Sequence, residues 1–128
     1  MKHTSEQLAW LIRRHGVEMT HLSGGSHLGA ILSVADIVAT LYTDVLRYDP
    51  KNPKWEGRDR FILSKGHAGA SIYAALAESG FFDVEELKTH IRTVAASQGT
   101  YHIICLEWTS LQVLWDTGCL LPQELHTH

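Results

Sequence analysis

The chain is 128 residues long, 45% hydrophobic and 20% charged, with a formal net charge of −3. That bounds it to one globular domain of ordinary size and excludes a disordered composition. The mild acidity gives no electrostatic reason to expect nucleic acid or an anionic membrane surface as a partner. No apolar run is read as approaching the ~18 residues of a membrane helix, and no signal-peptide core opens the chain, so the cytoplasm is the expected compartment. Cys105 and Cys119 lack a CxxC spacing and signal neither a disulfide framework nor a zinc site.

Thr4 and Gln7 have the spacing of a capping box and predict the start of a first helix. Leu8, Leu11, Ile12, His15, Met19 and Leu22 follow at helical intervals, which predicts one buried face to about residue 22. His15 on that face is read as a satisfied packing residue rather than a ligand. The stretch "SGGSHLGA" (residues 23–30) then breaks the helix. Ser33, with Asp36 three residues on, predicts the cap of a second helix whose face is Val34, Ile37, Val38, Leu41 and Val45.

"RYDPKNPKWEG" (residues 47–57) is a loop by its prolines, glycine and polar residues. Phe61, Ile62 and Leu63 form a short apolar run that predicts a buried strand of the parallel kind. "SKGHAGASIY" (residues 64–73) turns from that run into a helix carrying Ala70, Tyr73, Ala74 and Ala77, which Gly80 stops. Asp83, with Glu86 in the box position, predicts one more helix start. Helices around one strand are the opening of an α/β domain, incomplete and mostly helical as present, because one strand is not a sheet.

His67 between Gly66 and Gly69 admits two readings. The N–H groups at a helix start lack intrahelical partners and carry the positive end of the dipole, so a histidine there can join them in holding a phosphate or can move a proton. The same residues also make an ordinary tight turn with a solvated imidazole.

Taken together, "SGGSHLGAILSVADIVATLY", "YDPKNPKWEGRDRFILSKGHA" and "ALAESGFF" resemble the N-terminal, thiamine diphosphate-binding region of transketolase, especially the short split-subunit type, over residues 6–90. The resemblance implies the N-terminal part of a three-layer α/β domain, with thiamine diphosphate and Mg2+ as cofactors. It also implies transfer of a two-carbon ketol unit from a ketose to an aldose phosphate, as in the pentose phosphate pathway. Sugar phosphates, a C-terminal transketolase subunit and a homo-oligomer are the partners it implies. On the family's motifs, Gly66 and His67 match cofactor-binding positions, and His27 and His67 match catalytic ones, with His27 facing substrate hydroxyls. Ser26 and Leu28 stand where the family often has Gly and Pro.

The resemblance stops after His90. Residues 91–128 hold only four of the chain's charged residues and no lysine, yet both cysteines and two of the four tryptophans. Reading the last base of each codon with the first two of the next changes this picture. Trp108 before Thr109 must then spell aspartate, and Trp115 before Asp116 must spell glycine. Every other junction permits the family's continuation, including a Gly-His motif and the loop Ser-Thr-Gly-Ser-Leu-Gly. Residues 91–128 are therefore expected to be an aberrant, frame-shifted tail following the family region 1–90. The family's magnesium-binding Asp and Asn fall in the lost part, so no metal ligand is assigned. His102, His126, His128 and the two cysteines are products of the shifted frame on this reading. An inactive truncated remnant that binds no cofactor is the alternative to a transketolase subunit fragment, and a small helical interaction module is a third possibility.

One base gained or lost just after the His90 codon is expected to restore a long transketolase reading frame. Sequencing the DNA across codons 88 to 128 checks this. A stop or an unrelated peptide in the other frame would count against it.

Overall fold

Thr4 starts the first helix as its spacing with Gln7 predicts. Its hydroxyl accepts from the Gln7 N–H at 3.2 Å, and the Gln7 side chain accepts from the Thr4 N–H at 3.1 Å. The computed structural model describes residues 3–24 and 27–88. Within them run helices α1 (Ser5–Ser23), α2 (Leu28–Thr40) and α3 (Gly69–Glu78). A π-type turn follows α2 at Leu41–Val45, and short 3-10 turns lie at Gly66–Ala68 and Val84–Glu86. The expected tail, residues 91–128, lies outside the described residues.

The three helices pack on one another around a single apolar cluster. α1 gives it Leu8, Ile12 and Met19, α2 gives Ala35, Val38 and Ala39, and α3 gives Ile72, Ala75 and Leu76. The predicted face of α1 is buried at Leu8, Ile12, His15 and Met19, but Leu22 in the last turn is 51% exposed. Gly16 lets α1 and α2 approach closely, since a Cβ there would sit 2.5 Å from the Ile31 side chain.

His15 is a packing residue with its polar needs met. Its Nε2 lies 2.6 Å from Glu78 Oε1, across from α3. A carboxylate only accepts, so this ring nitrogen carries the proton and donates. The other oxygen of Glu78 takes His3 Nε2 at 3.1 Å, so one carboxylate ties the segment before α1, α1 itself and the end of α3 together. On the surface, Arg13 grips Asp36 with two N–H donors and holds its carboxyl below the ordinary value.

The structure corrects the reading of α2. The helix starts at Leu28, not at Ser33, and Ser33 lies inside it with its hydroxyl donating to the Ala30 carbonyl at 3.1 Å. The buried side follows from that start: Ile31, Ala35, Val38 and Ala39 face inward. Ile37 and Val45, expected in the core, are 61% and 57% exposed. A helix with apolar residues on both sides offers no unique face to a periodicity argument. The unbroken stretch Leu28–Val45 also has the length and mean hydropathy (1.5) of a membrane span, contrary to the expectation that no run comes close. Its Ala35, Val38 and Ala39 pack in the core shared with α1 and α3, and 28% of the stretch is buried.

The expected strand at 61–63 is absent. Among the described residues no strand forms; Leu63 makes one isolated β-bridge and is buried, while Ile62 is 54% exposed. A strand exists only through neighbours, and none lies in the described part. The preceding loop is closed by a reciprocal pair, with the Asp59 N–H donating to the Arg47 carbonyl and the Arg47 N–H to the Asp59 carboxylate, each at 2.8 Å. Tyr48 donates to the Tyr42 carbonyl at 2.8 Å, and burial pushes the Tyr42 phenol up. α3 ends just before Gly80, which adopts φ 91 as the helix stop. Asp83 caps a 3-10 turn rather than an immediate α-helix, accepting from the Glu85 N–H at 3.1 Å.

Replacing Glu78 by Ala strands the buried ring N–H of His15. A buried donor left without a partner costs about 1–3 kcal/mol, so Glu78→Ala is expected to lower the urea midpoint clearly. Asp36→Ala, which breaks the exposed pair with Arg13, is expected to shift it much less. Equilibrium urea unfolding of the two variants beside the parent chain makes the comparison.

Candidate functional site

α2 and α3 both begin without a side-chain cap and without an acidic residue in the first turn. Their positive dipole ends are therefore not neutralised locally, and each has a histidine at or just before its start. His27 is the cap residue of α2, with φ −95 and ψ 27, and its carbonyl accepts from the Ile31 N–H at 3.4 Å. The imidazole is exposed. His67 lies in the 3-10 turn Gly66–Ala68 that feeds α3, half-buried. Gly66 opens that turn, and the Ala68 N–H closes it on the Lys65 carbonyl at 3.0 Å.

The fold brings the two histidines together. Their ring centroids are 5.3 Å apart with the planes tilted by 47°. The turn carrying His67 packs against α2, which fixes this meeting of residues forty positions apart in sequence. Two imidazoles beside two uncapped helix starts can donate several hydrogen bonds toward one anion or a set of hydroxyls. All three predicted site residues, His27, Gly66 and His67, thus belong to one region. Among the described residues, no group of three or more His, Cys, Asp or Glu is arranged to hold a metal ion. His102, Cys105, Cys119, His126 and His128 lie outside the described residues.

Two features were missed by sequence reasoning. One is that His27 itself starts α2; the apolar Leu28, Ile31 and Leu32 continuing back from Val34 were the available signal. The other is Ser71, wholly buried, whose hydroxyl donates to the Ala68 carbonyl at 2.6 Å. Nothing in spacing alone marks it. A groove of about 340 Å³ between α1 and residues 84–88 is lined by Leu11, Met19, Leu22, Val84 and Leu87 among others. Neither site histidine lines it, and the chemistry of the histidine pair, rather than concavity, singles out the candidate site.

Comparison with known proteins gives the family of the chain. A family model described as the thiamine diphosphate binding domain of transketolase matches residues 4–107. The chain is 44% identical over 79 residues to the 6-deoxy-6-sulfo-D-fructose transketolase subunit of Clostridium sp. (strain MSTE9), covering 62% of this chain and 29% of that protein. It is 42% identical over 79 residues to a transketolase family protein of Sinorhizobium fredii, covering 62% and 28%. With the transketolase of Aquifex aeolicus the identity is 45% over 78 residues, covering 60% and 11%. The chain spans less than a third of the length of each of these curated relatives.

Proposed function

The chain belongs to the family of transketolase thiamine diphosphate-binding domains, and on that footing we propose that it is the N-terminal part of a subunit that transfers a two-carbon ketol unit from a ketose to an aldose phosphate. The observation that carries the reading is the 5.3 Å approach of His27 and His67 at two uncapped helix starts. The donor set fits the diphosphate end of the cofactor: an imidazole N–H from His67, with the open N-terminus of α3 behind it. When bound, thiamine diphosphate supplies the stabilisation of negative charge on carbon that ketol transfer needs.

The chain's own residues have the remaining tasks. His67 holds diphosphate oxygens, and Gly66 opens the turn that brings its ring to them. His27, on the exposed side of the pair, orients substrate hydroxyls and moves protons at them. No cluster of three or more His, Cys, Asp or Glu able to hold a metal ion forms among the described residues, and no step here is assigned to a metal. The three-layer α/β sheet of the domain, the metal ligands and the glycine-rich loop belong, on this proposal, to the sequence that the frame shift removes. A C-terminal subunit and a second copy complete the site in an intact protein. The chain with residues 91–128 as they stand is then an inactive form of that subunit. The forced aspartate and glycine at the two tryptophan junctions support this.

A patch of charge-assisted hydrogen bonds contributes about 1–3 kcal/mol, whereas micromolar affinity needs about 8 kcal/mol. Calorimetry of the full chain with thiamine diphosphate and Mg2+ is therefore expected to show dissociation constants of roughly millimolar or weaker, with no ketol transfer. Micromolar, magnesium-dependent binding would overturn the incomplete-site reading. In a frame-restored chain with its partner subunit, His67→Ala is expected to weaken cofactor binding sharply, and His27→Ala to lower turnover with cofactor binding largely kept.

A further inference from the structure

We infer that Ser71 is a positioning residue that sets the orientation of His67, an inference that rests on the reading of His67 as a diphosphate ligand. α3 is built from small residues: Ala70, Ala74, Ala75 and Ala77 lie in it, and Ala68 stands at its cap. Ser71 is the buried polar residue of this helix. It has no exposed surface, and with His15 it makes up the buried polar residues among those described. Volume does not explain a serine there, because alanine suits a tightly packed helix face and has the better helix propensity. Burying a hydroxyl is unfavourable unless it is hydrogen-bonded. The hydroxyl is therefore the feature to account for.

Its hydrogen-bond partner is in the turn of the site. Ser71 Oγ donates to the Ala68 carbonyl at 2.6 Å. The same residue's N–H donates to the Lys65 carbonyl at 3.0 Å. Ala68 is thus held on both its N–H and its carbonyl side, directly after His67, at φ −94 and ψ 11 where the chain passes from the 3-10 turn into α3. The two bonds hold the Ala68 peptide groups on either side of the junction. Holding Ala68 constrains the backbone of its neighbour His67, whose ring centroid lies 5.3 Å from that of His27. Ser33 makes the same kind of bond, to the Ala30 carbonyl, on an exposed part of α2 away from the turn, and so provides an internal control.

The test uses the full chain with 13C-labelled histidine, inorganic pyrophosphate with Mg2+ as the probe, and His67→Ala to assign the His67 ring signal. Ser71→Ala is expected to keep the thermal midpoint within a few degrees and the His15 ring signal in place. It should move the His67 ring signal, weaken the cross-peak between the His27 and His67 rings, and raise the pyrophosphate dissociation constant by about three- to tenfold, the worth of one ordinary hydrogen bond. Ser33→Ala should change none of these. A His67 ring signal and cross-peak in Ser71→Ala identical to those of the parent chain would overturn the positioning role, whatever happens to stability. A parent chain whose His67 signal ignores pyrophosphate would overturn the diphosphate reading instead, and the effect of Ser71→Ala without pyrophosphate tells the two failures apart.

Discussion

Ile12, Val38, Ile72 and Leu76, one or two from each helix, lose essentially all their exposure in one cluster, and the described fold depends on that burial. Short helices of 10 to 19 residues are marginal alone in water, so their stability comes from the apolar faces they share. Each such side chain taken out of water contributes about 1.5–3 kcal/mol. The polar ties follow from this packing rather than creating it. Once α1 and α3 are in contact, the Glu78 carboxylate reaches His15 and His3; once α1 and α2 are, Arg13 reaches Asp36.

The sequence was legible where a signal was local and chemical. The capping box at Thr4 and Gln7, the packing role of His15 and the stop at Gly80 each depend on a few neighbouring residues, and each is found in place. It was misleading where the outcome depended on partners. α2 carries apolar residues all round, so Ser33 looked like a start and Ile37 like core, although the helix had already begun at Leu28. Phe61, Ile62 and Leu63 have a strand's composition, but strand formation is a property of a sheet and not of three residues.

The site shows the same division. Gly66 and His67 were marked by the chemistry of a glycine and a histidine at a helix start, whereas His27 was nameable only through the resemblance of its motif to the family's. Their mutual distance was not, since it is set by how the 66–68 turn packs on α2. Ser71 was invisible for a related reason: a serine among alanines in a helix acquires meaning only when its hydroxyl is seen on the Ala68 carbonyl. Family membership identifies the domain as a thiamine diphosphate-binding one, and the role of the pair within it is the proposal made above.

The close contact at Gly16 ties the core to the site. Ile31 lies one helical turn beyond His27, and its N–H bonds the His27 carbonyl. α2 is thus a short lever with Gly16 pressing near one end of its first turn and the exposed imidazole at the other. A side chain at position 16 would require the Ile31 side chain to move, one turn from the His27 carbonyl that the Ile31 N–H bonds. The absence of one methyl group in α1 therefore permits its close approach to the first turn of α2, the turn that begins at His27.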